Sequence, residues 1–301
     1  MRKILVTGGT TFVSKYTASY FANKGEDVYV LNRNTKKQVE GVNLIQADRN
    51  ALGNVLKEHS FDLVVDVCGY TKKDVENLTD ALGSFTDYVF VSSSAVYPET
   101  LPQPFKEEMP VGENTIWGEY GVNKYEAEKE LVKRVANAYI LRPPYLYGAM
   151  QNLYREPFAF DCADENRVFC LPQKGEMNLQ FFHVEDLCRF IDIITEIHPE
   201  NKIFNVGNKD SVTAYKWAEL CYKAAGKEFE AVFVDKSLFQ RSYFPFHDYD
   251  YKLDVSKMLA LMPDTKPLSE GLEEEYRWYR ENKDSVLRKP LAEYIDENIL
   301  K

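Results

Sequence analysis

Short apolar runs alternate with helically spaced segments through the first half of the chain. The runs are Lys3–Thr7, Asp27–Leu31, Val42–Gln46, Leu63–Val67, Tyr88–Ser92 and Ala138–Arg142. Among the segments between them, Tyr16–Lys24, Asp74–Leu82 and Lys124–Ala136 carry apolar residues at helical spacing. Strands separated by helices are joined by right-handed crossovers, which leave them parallel. The runs are rich in Val, Ile and Leu on both faces, as a sheet covered by helices on both sides requires. The pattern predicts an α/β fold built on a doubly wound parallel sheet.

Beyond about residue 148 the alternation breaks down, and aromatic and Pro residues cluster, as in Gln240–Tyr251 (QRSYFPFHDYDY). Residues 1–150 are expected to form the sheet domain. Residues 151–301 are expected to form mainly a smaller C-terminal lobe over the carboxyl ends of the strands. Segments near 180–207 should return to the sheet as short strands at Gln180–Val184 and Ile203–Val206, and Leu272–Asn282 reads as a terminal helix. At 301 residues and 45% hydrophobic composition, the chain has material for such a core. A net charge of −10 gives no general attraction to nucleic acid. The Lys36-Lys37 and Lys72-Lys73 pairs are too short for a basic patch, so nucleic acid is not an expected partner. The five cysteines (Cys68, Cys162, Cys170, Cys188, Cys221) contain no C-x-x-C pair. That argues against a disulfide framework or a zinc site and fits a reducing cytoplasm. No apolar run approaches the ~18 residues of a membrane span, and no signal-peptide pattern opens the chain. A soluble cytoplasmic protein is expected.

The first run leads into LVTGGTTFVSKY (Leu5–Tyr16). A turn that cradles a dinucleotide uses glycines to turn tightly, to let the pyrophosphate approach and to pack helix on strand. Gly8 keeps the first role, while Thr11 and Ser14 stand in the other two. Ser14 is small enough for close packing. Thr11 narrows the approach, but its hydroxyl, or that of Thr10, can cap the helix or bond a phosphate oxygen. Phe12 and Val13 complete the candidate cofactor turn. On the plainer reading this is a ligand-free strand-to-helix turn. After the second run, an acid would accept bonds from the adenosine ribose, whereas an Arg can pair with a 2′-phosphate. The sequence VLNRNT puts neutral Asn32 and then Arg33 there, which tilts the cofactor towards NADP over NAD unless Arg33 is merely a surface residue. Asp48, in QADRN, is a candidate acceptor for the adenine amino group or an ordinary turn aspartate.

Two further stretches add chemistry. Val91–Pro98 (VSSSAVYP) leaves the fifth run, and Gly118–Glu126 (GEYGVNKYE) holds Tyr120 and Lys124 as Y-x-x-x-K. Positions four apart share a helix face. An ammonium beside a phenol lowers the pKa of the tyrosine, which can then serve as general base for a hydroxyl or as general acid in reverse. Ser93 is placed to hold the same oxygen.

Through these motifs the chain resembles the extended short-chain dehydrogenase/reductase family, the NAD-dependent epimerase/dehydratase group. The resemblance runs through VTGGTTFVS, SSSAVY, YGVNK, LRPPYLYG (Leu141–Gly148), FFHVEDL (Phe181–Leu187) and FNVG (Phe204–Gly207). It implies a Rossmann-type cofactor domain, a C-terminal substrate lobe, and Ser93, Tyr120 and Lys124 as the catalytic set. Lys124 would also bond the nicotinamide ribose. Cys68, Gly69 and Tyr70 would line the cofactor, and Pro143 would pass near the nicotinamide. GGTTFVS, VLNRN and VVDVCGY look similar to a subgroup with a bulky second glycine position. That subgroup includes chloroplast RNA-binding relatives. The family also suggests a homodimer.

Residues around Ser93 narrow the reaction that the resemblance implies. Dehydratases follow the Ser with an Asp-Glu pair, where this chain has Ser94-Ala95. The GDP-sugar epimerase/reductases use a Cys where Ser94 stands. Many UDP-sugar 4-epimerases carry an Asn where Tyr145 stands. What is left is hydride transfer at a secondary alcohol or ketone of a small substrate such as a nucleotide sugar. Epimerisation is the first reading. An NADP-dependent reductase or dehydrogenase, or an idle RNA-binding or regulatory protein, are the alternatives. Ser94, Tyr145 and Arg241 are candidate substrate contacts, Arg241 as a bidentate partner for a phosphate. His183 is read as structural and Asp186 as a helix cap. Asp161, Asp164 and Glu165 read as a solvated acidic turn, not as metal ligands, and no metal is expected. Trp278 and Tyr279 read as packing.

Overall fold

The computed structural model describes residues 1–301. The strands are β1 Lys3–Thr7, β2 Asp27–Asn32, β3 Val42–Gln46, β4 Ser60–Asp66, β5 Ser84–Val91, β6 Tyr139–Arg142 and β7 Tyr145–Tyr147, then β8 Phe169–Pro172, β9 Asn178–Leu179, β10 Phe181–His183, β11 Ile203–Asn205, β12 Val212–Thr213 and β13 Ala231–Val234. The helices are α1 Phe12–Asn23, α2 Lys72–Ala81, α3 Glu119–Arg134, α4 Glu156–Asp164, α5 Val184–Ile197, α6 Ala214–Ala224, α7 Ser256–Leu259, α8 Leu268–Glu281 and α9 Leu291–Asn298. Seven strands form one parallel sheet in the order β11-β6-β5-β4-β1-β2-β3. The order reverses between β1 and β4. In open α/β sheets ligands bind outside the carboxyl ends of the strands at such a switch point.

Alternation along β1 explains the two layers. Ile4 and Val6 pack with Ala18 and Phe21 of α1 and Phe190 and Ile194 of α5. Leu5 faces the other way, into a cluster with Val75 and Leu78 of α2 and Leu131 of α3. A third cluster joins Phe158 of α4, Trp217 of α6, Phe244 and Tyr279 beyond the sheet. Of the two segments expected to return to the sheet, Ile203–Asn205 does so, pairing β6 at its edge. Phe181–His183 does not: it pairs β7 in a separate two-stranded ribbon.

Asp161 and Asp164 are not the solvated turn expected of them. Tyr154 and Tyr279 hydroxyls donate to Asp161 at 2.9 and 2.5 Å, and Lys283 pairs with Asp164 at 2.8 Å. They hold α4 to α8 and the segment after it. The helix cap is displaced too. His183, not Asp186, precedes α5, its Nδ1 accepting the Glu185 N–H at 3.3 Å. Asp186 is buried in the first turn of α5 and accepts from Lys266 N and Arg189.

Two carboxylates meet in the lobe. Glu156 and Glu275 are fully buried. Glu275 accepts the Gly148 N–H at 2.8 Å, and Glu156 accepts from Gln151 at 3.1 Å. Burial, and then the Glu156 charge, push Glu275 well above the ordinary carboxyl value of 4.5. The folded protein therefore holds a proton that the unfolded chain releases. This contribution to stability is complete below the unfolded value and is lost as pH rises through the raised folded one. Glu275→Gln should reduce that loss. Urea unfolding at about pH 5 and about pH 8 should show a smaller fall in the variant than in wild type. Equal falls would mean that Glu275 is ionised in the folded protein.

Candidate active site

The turn after β1 is shaped by two glycines. Gly8 and Gly9 have φ of +91° and +87°. A Cβ on Gly8 would lie 2.7 Å from Cys68 Sγ, and one on Gly9 would lie 2.5 Å from Val30 Cγ1. Ser14 fills the third glycine position, buried, with its hydroxyl donating to Thr11 O at 2.9 Å. Thr11 is extended (φ −142°) at the start of α1 and makes no side-chain cap bond. The first turn of α1 carries no acid, so its exposed N–H groups and positive dipole end suit an anion.

The next wall comes from β4. Its last residue, Asp66, is fully buried and accepts from Thr7 Oγ1 at 2.8 Å, Arg49 at 2.8 and 2.7 Å and Tyr88 at 2.9 Å. Burial alone would raise its pKa, but Arg49 and the hydrogen bonds hold it below the usual value. This anchor packs against Gly69, where a Cβ would come 2.7 Å from Asp66 Oδ2. Arg49 and Asp66 stand inside QADRN and VVDVCGY, but nothing in either stretch shows that they pair across 17 residues.

Ser92, Ser93 and Ser94 follow β5, opposite α3. Tyr120, Lys124 and Glu128 lie four apart on α3 and share one face. Lys124 Nζ donates to Gly69 O and Val91 O, both at 2.8 Å, and lies 4.9 Å from the ring centres of Tyr70 and Phe90. Burial lowers its pKa to about 8. Although 40% of Tyr120 is exposed, its hydroxyl faces the cavity. There burial raises its pKa and Ser93 only partly offsets the rise. The expected lowering by Lys124 is therefore absent in the free protein. Desolvation of the phenol dominates, and two of the three ammonium donors are engaged by carbonyls.

These residues surround one cavity of about 390 Å³. Its lining includes Thr11, Phe12, Val13, Cys68, Tyr70, Ser93, Tyr120, Lys124 and Pro143. Lys124 and Arg155 are its only charged members. Arg155 lies 5.4 Å from the ring centre of Tyr145 and was not foreseen, since no motif contains it. A larger groove of about 1010 Å³ in the lobe holds none of the Ser93–Tyr120–Lys124 set. Gly8, Thr10, Asn32, Arg33, Asp48, Gly69, Ser94, Tyr145 and Arg241, also expected as contacts, are not among the lining residues of the cavity. Asp48 is exposed and accepts the Asn50 N–H at 2.8 Å. Ser94 is buried, its carbonyl accepting from the Tyr251 hydroxyl at 2.5 Å. Thr10 is half-buried beside the turn. Asn32 donates to Gly8 O at 2.6 Å, bracing the turn, and Arg33 is exposed next to it.

Trp117 packs near Tyr120, Tyr145, His247 and Tyr251, with ring centres 4.9 to 6.4 Å away. It lies three residues before Tyr120, the signal that could have revealed it. Arg241 donates to Pro245 O. Burial lowers its pKa, with Tyr145 opposing and Arg155 assisting. His247 is lowered by burial, then by Arg241 and Lys289, and Lys289 is lowered by burial and Arg241. Arg155, Arg241 and Lys289 thus bring positive charge beside the aromatic wall, and burial with Arg241 and Lys289 disfavours the charged form of His247 among them.

His183, Glu185 and Glu274 bring potential metal-binding atoms within 4.8 Å of one another. Lys266 Nζ already bridges the two carboxylates at 2.5 and 2.6 Å. Burial, and then Lys266, lower the His183 pKa to about 3. Its Nδ1 accepts a bond, which leaves the proton on Nε2 and no lone pair there for a metal.

A model of the NAD dependent epimerase/dehydratase family matches residues 4–207. The chain is 28% identical to chloroplast stem-loop binding protein of 41 kDa b of Arabidopsis thaliana, over 91% of this chain and 78% of that one. Among solved structures it is similar to dTDP-glucose 4,6-dehydratase of Bacillus anthracis in complex with NAD. The TM-score is 0.76 at 20% identity, covering 97% of this chain and 100% of that one. UDP-glucose 4-epimerase of Thermotoga maritima with UDP-glucose gives 0.74 at 18% identity, covering 93% and 99%.

Proposed function

Because the chain belongs to the NAD dependent epimerase/dehydratase family, we propose that it is an enzyme that transfers hydride between a nicotinamide dinucleotide and a secondary alcohol or ketone of a nucleotide sugar, with epimerisation as the net reaction. The observation that carries this reading is the cavity that gathers Ser93, Tyr120 and Lys124 against the Thr11–Ser14 turn. The acid-free N-terminus of α1 and the close-packed Gly8 and Gly9 fit a pyrophosphate. When bound, the oxidised nicotinamide supplies the hydride acceptor and a positive charge beside the phenol. Tyr120 takes the proton of the substrate hydroxyl and returns it at the end, and Ser93 holds the same oxygen. Lys124 has three N–H donors and spends two on carbonyls, leaving one for the ribose or for Tyr120.

The charges of Arg155, Arg241 and Lys289 support a substrate with a diphosphate, and the wall of Trp117 and Tyr145 offers a face for a sugar. The two solved relatives described above are named for dTDP-glucose and UDP-glucose. The Arabidopsis relative is named for binding stem-loops. In this chain a net charge of −10 and the intact Ser93–Tyr120–Lys124 set favour catalysis. The test is incubation with UDP-glucose or dTDP-glucose and NAD or NADP in deuterated water, followed by NMR. The expected result is an epimer whose inverted carbon keeps its own hydrogen. Deuterium at that carbon would indicate proton abstraction instead. Bound sugar nucleotide without conversion would overturn the reading.

A further inference from the structure

We propose that Asn114 and Tyr251 form a clamp that sets Ser93 against Tyr120, so that both are positioning residues for the hydride transfer. This rests on the reaction proposed above and adds residues outside its catalytic set.

The two oxygens that meet the substrate stand on different elements. Ser93 opens the turn after β5, and Tyr120 lies in the first turn of α3. The Ser93 turn is tied to the sheet by its amides. Ser92 N donates to Leu141 O at 2.8 Å, and Ser94 N donates to Pro143 O at 2.9 Å. The carbonyl of Ser94 is held instead by Tyr251, from the aromatic segment beyond β13, whose hydroxyl donates to it at 2.5 Å. A hydroxyl has one proton, so the Tyr251 oxygen is left to accept, and Asn114 Nδ2 donates to it at 3.3 Å. The same Nδ2 donates to Tyr97 O at 2.6 Å.

The other end of the Asn114 side chain shapes the entry to α3. Its Oδ1 accepts from Ile116 N at 2.9 Å and from Trp117 N at 3.1 Å. Its carbonyl accepts from Gly118 N at 2.9 Å. Asn114 therefore holds the chain three residues before Tyr120, and Tyr251 holds it one residue after Ser93. The bond between them joins the two halves. Both residues are only 2% exposed, so water does not compete for these bonds. The elements also meet closely: a Cβ on Gly121 would lie 2.6 Å from Ala95 O. That contact limits how near α3 comes to the turn, and the clamp limits how far one slides along the other. The spacing matters because Ser93 is the group that opposes the rise in the Tyr120 pKa. A slip of the turn would weaken that bond and draw Ser93 away from the substrate oxygen.

Steady-state kinetics with the nucleotide sugar that turns over carry the test. Tyr251→Phe removes one hydroxyl and keeps the ring, whose centre lies 5.2 Å from that of Phe105. It should lower kcat about 10- to 100-fold, as small misplacements of reacting groups do, with KM little changed. The rising limb of the pH profile should move to higher pH, because the bond that lowers the Tyr120 pKa is weakened. In a Ser93→Ala background Tyr251→Phe should cost almost nothing further, because the clamp acts through Ser93. Tyr222→Phe is the control for lost stability. It removes a hydroxyl that donates to Arg167 O at 2.7 Å in the lobe, and it should keep its kcat. Should Tyr251→Phe not fold, Asn114→Ser, whose shorter side chain gives up the bond to Tyr251, takes its place in the same measurements. A wild-type kcat in Tyr251→Phe, the same loss with and without Ser93, or an equal loss in Tyr222→Phe would overturn the proposal. If wild type converts no nucleotide sugar, the reaction reading fails and this proposal fails with it.

Discussion

Tyr120→Phe is expected to lower kcat about 10²- to 10⁴-fold, the usual contribution of a positioned general acid–base. The substitution removes one hydroxyl and keeps the ring, which packs 6.4 Å from Trp117. Because the residue is partly exposed at the cavity rim, the fold should not depend on that oxygen. Cofactor binding, followed by thermal shift, should change little. Steady-state kinetics with whichever nucleotide sugar turns over would give the comparison. A variant that keeps its kcat would remove Tyr120 from the chemistry. One that loses cofactor binding along with turnover would make it a binding residue instead.

Glu128→Ala should produce the largest loss of stability, about 3–5 kcal/mol, the range for breaking a buried ion pair from one side. Glu128 and Arg142 are each 3% exposed and pair through two contacts, at 2.7 and 3.1 Å. Ser92 Oγ donates to the same carboxylate at 2.5 Å. Without it, the Arg142 guanidinium would stay buried with only the Tyr97 hydroxyl at 2.8 Å and Glu107 O at 3.3 Å. Replacing both partners, as Glu128→Leu with Arg142→Met, should recover much of the loss, because no uncompensated charge is left behind. Urea unfolding of the single and double variants would test this. A single variant within about 1 kcal/mol of wild type would show that the pair contributes little. The pair also bears on catalysis, since Glu128 lies one turn beyond Lys124 and Ser92 precedes Ser93.

The sheet could be read from the sequence wherever hydrophobicity alone defined a strand. β1 and β3 match the apolar runs residue for residue. β4 starts earlier, at Ser60, because Ser60 and Asp62 alternate outward around buried Phe61 and the run of Val and Leu begins only afterwards. Phe181–His183 looks like a sheet strand for the same reason that misplaces it. Its apolar residues are buried against β7 and the lobe, and local pattern does not reveal the partner. The Y-x-x-x-K spacing brought Tyr120 and Lys124 onto one face. The spacing carries no information on how strongly the phenol is desolvated, and burial sets the direction of its shift in the free protein. Long-range pairings such as Arg49–Asp66, Glu128–Arg142 and Lys36–Thr11 leave no periodic trace.

In the proposed reaction, substrate hydride passes to a dinucleotide held in the Ser93–Tyr120–Lys124 cavity. The most direct measurement is rapid mixing of cofactor-loaded protein with the nucleotide sugar it converts, following the absorbance of reduced nicotinamide. The signal should appear in wild type and be absent in Tyr120→Phe. Conversion by protein stripped of cofactor at the wild-type rate, with no reduced nicotinamide formed, would contradict it.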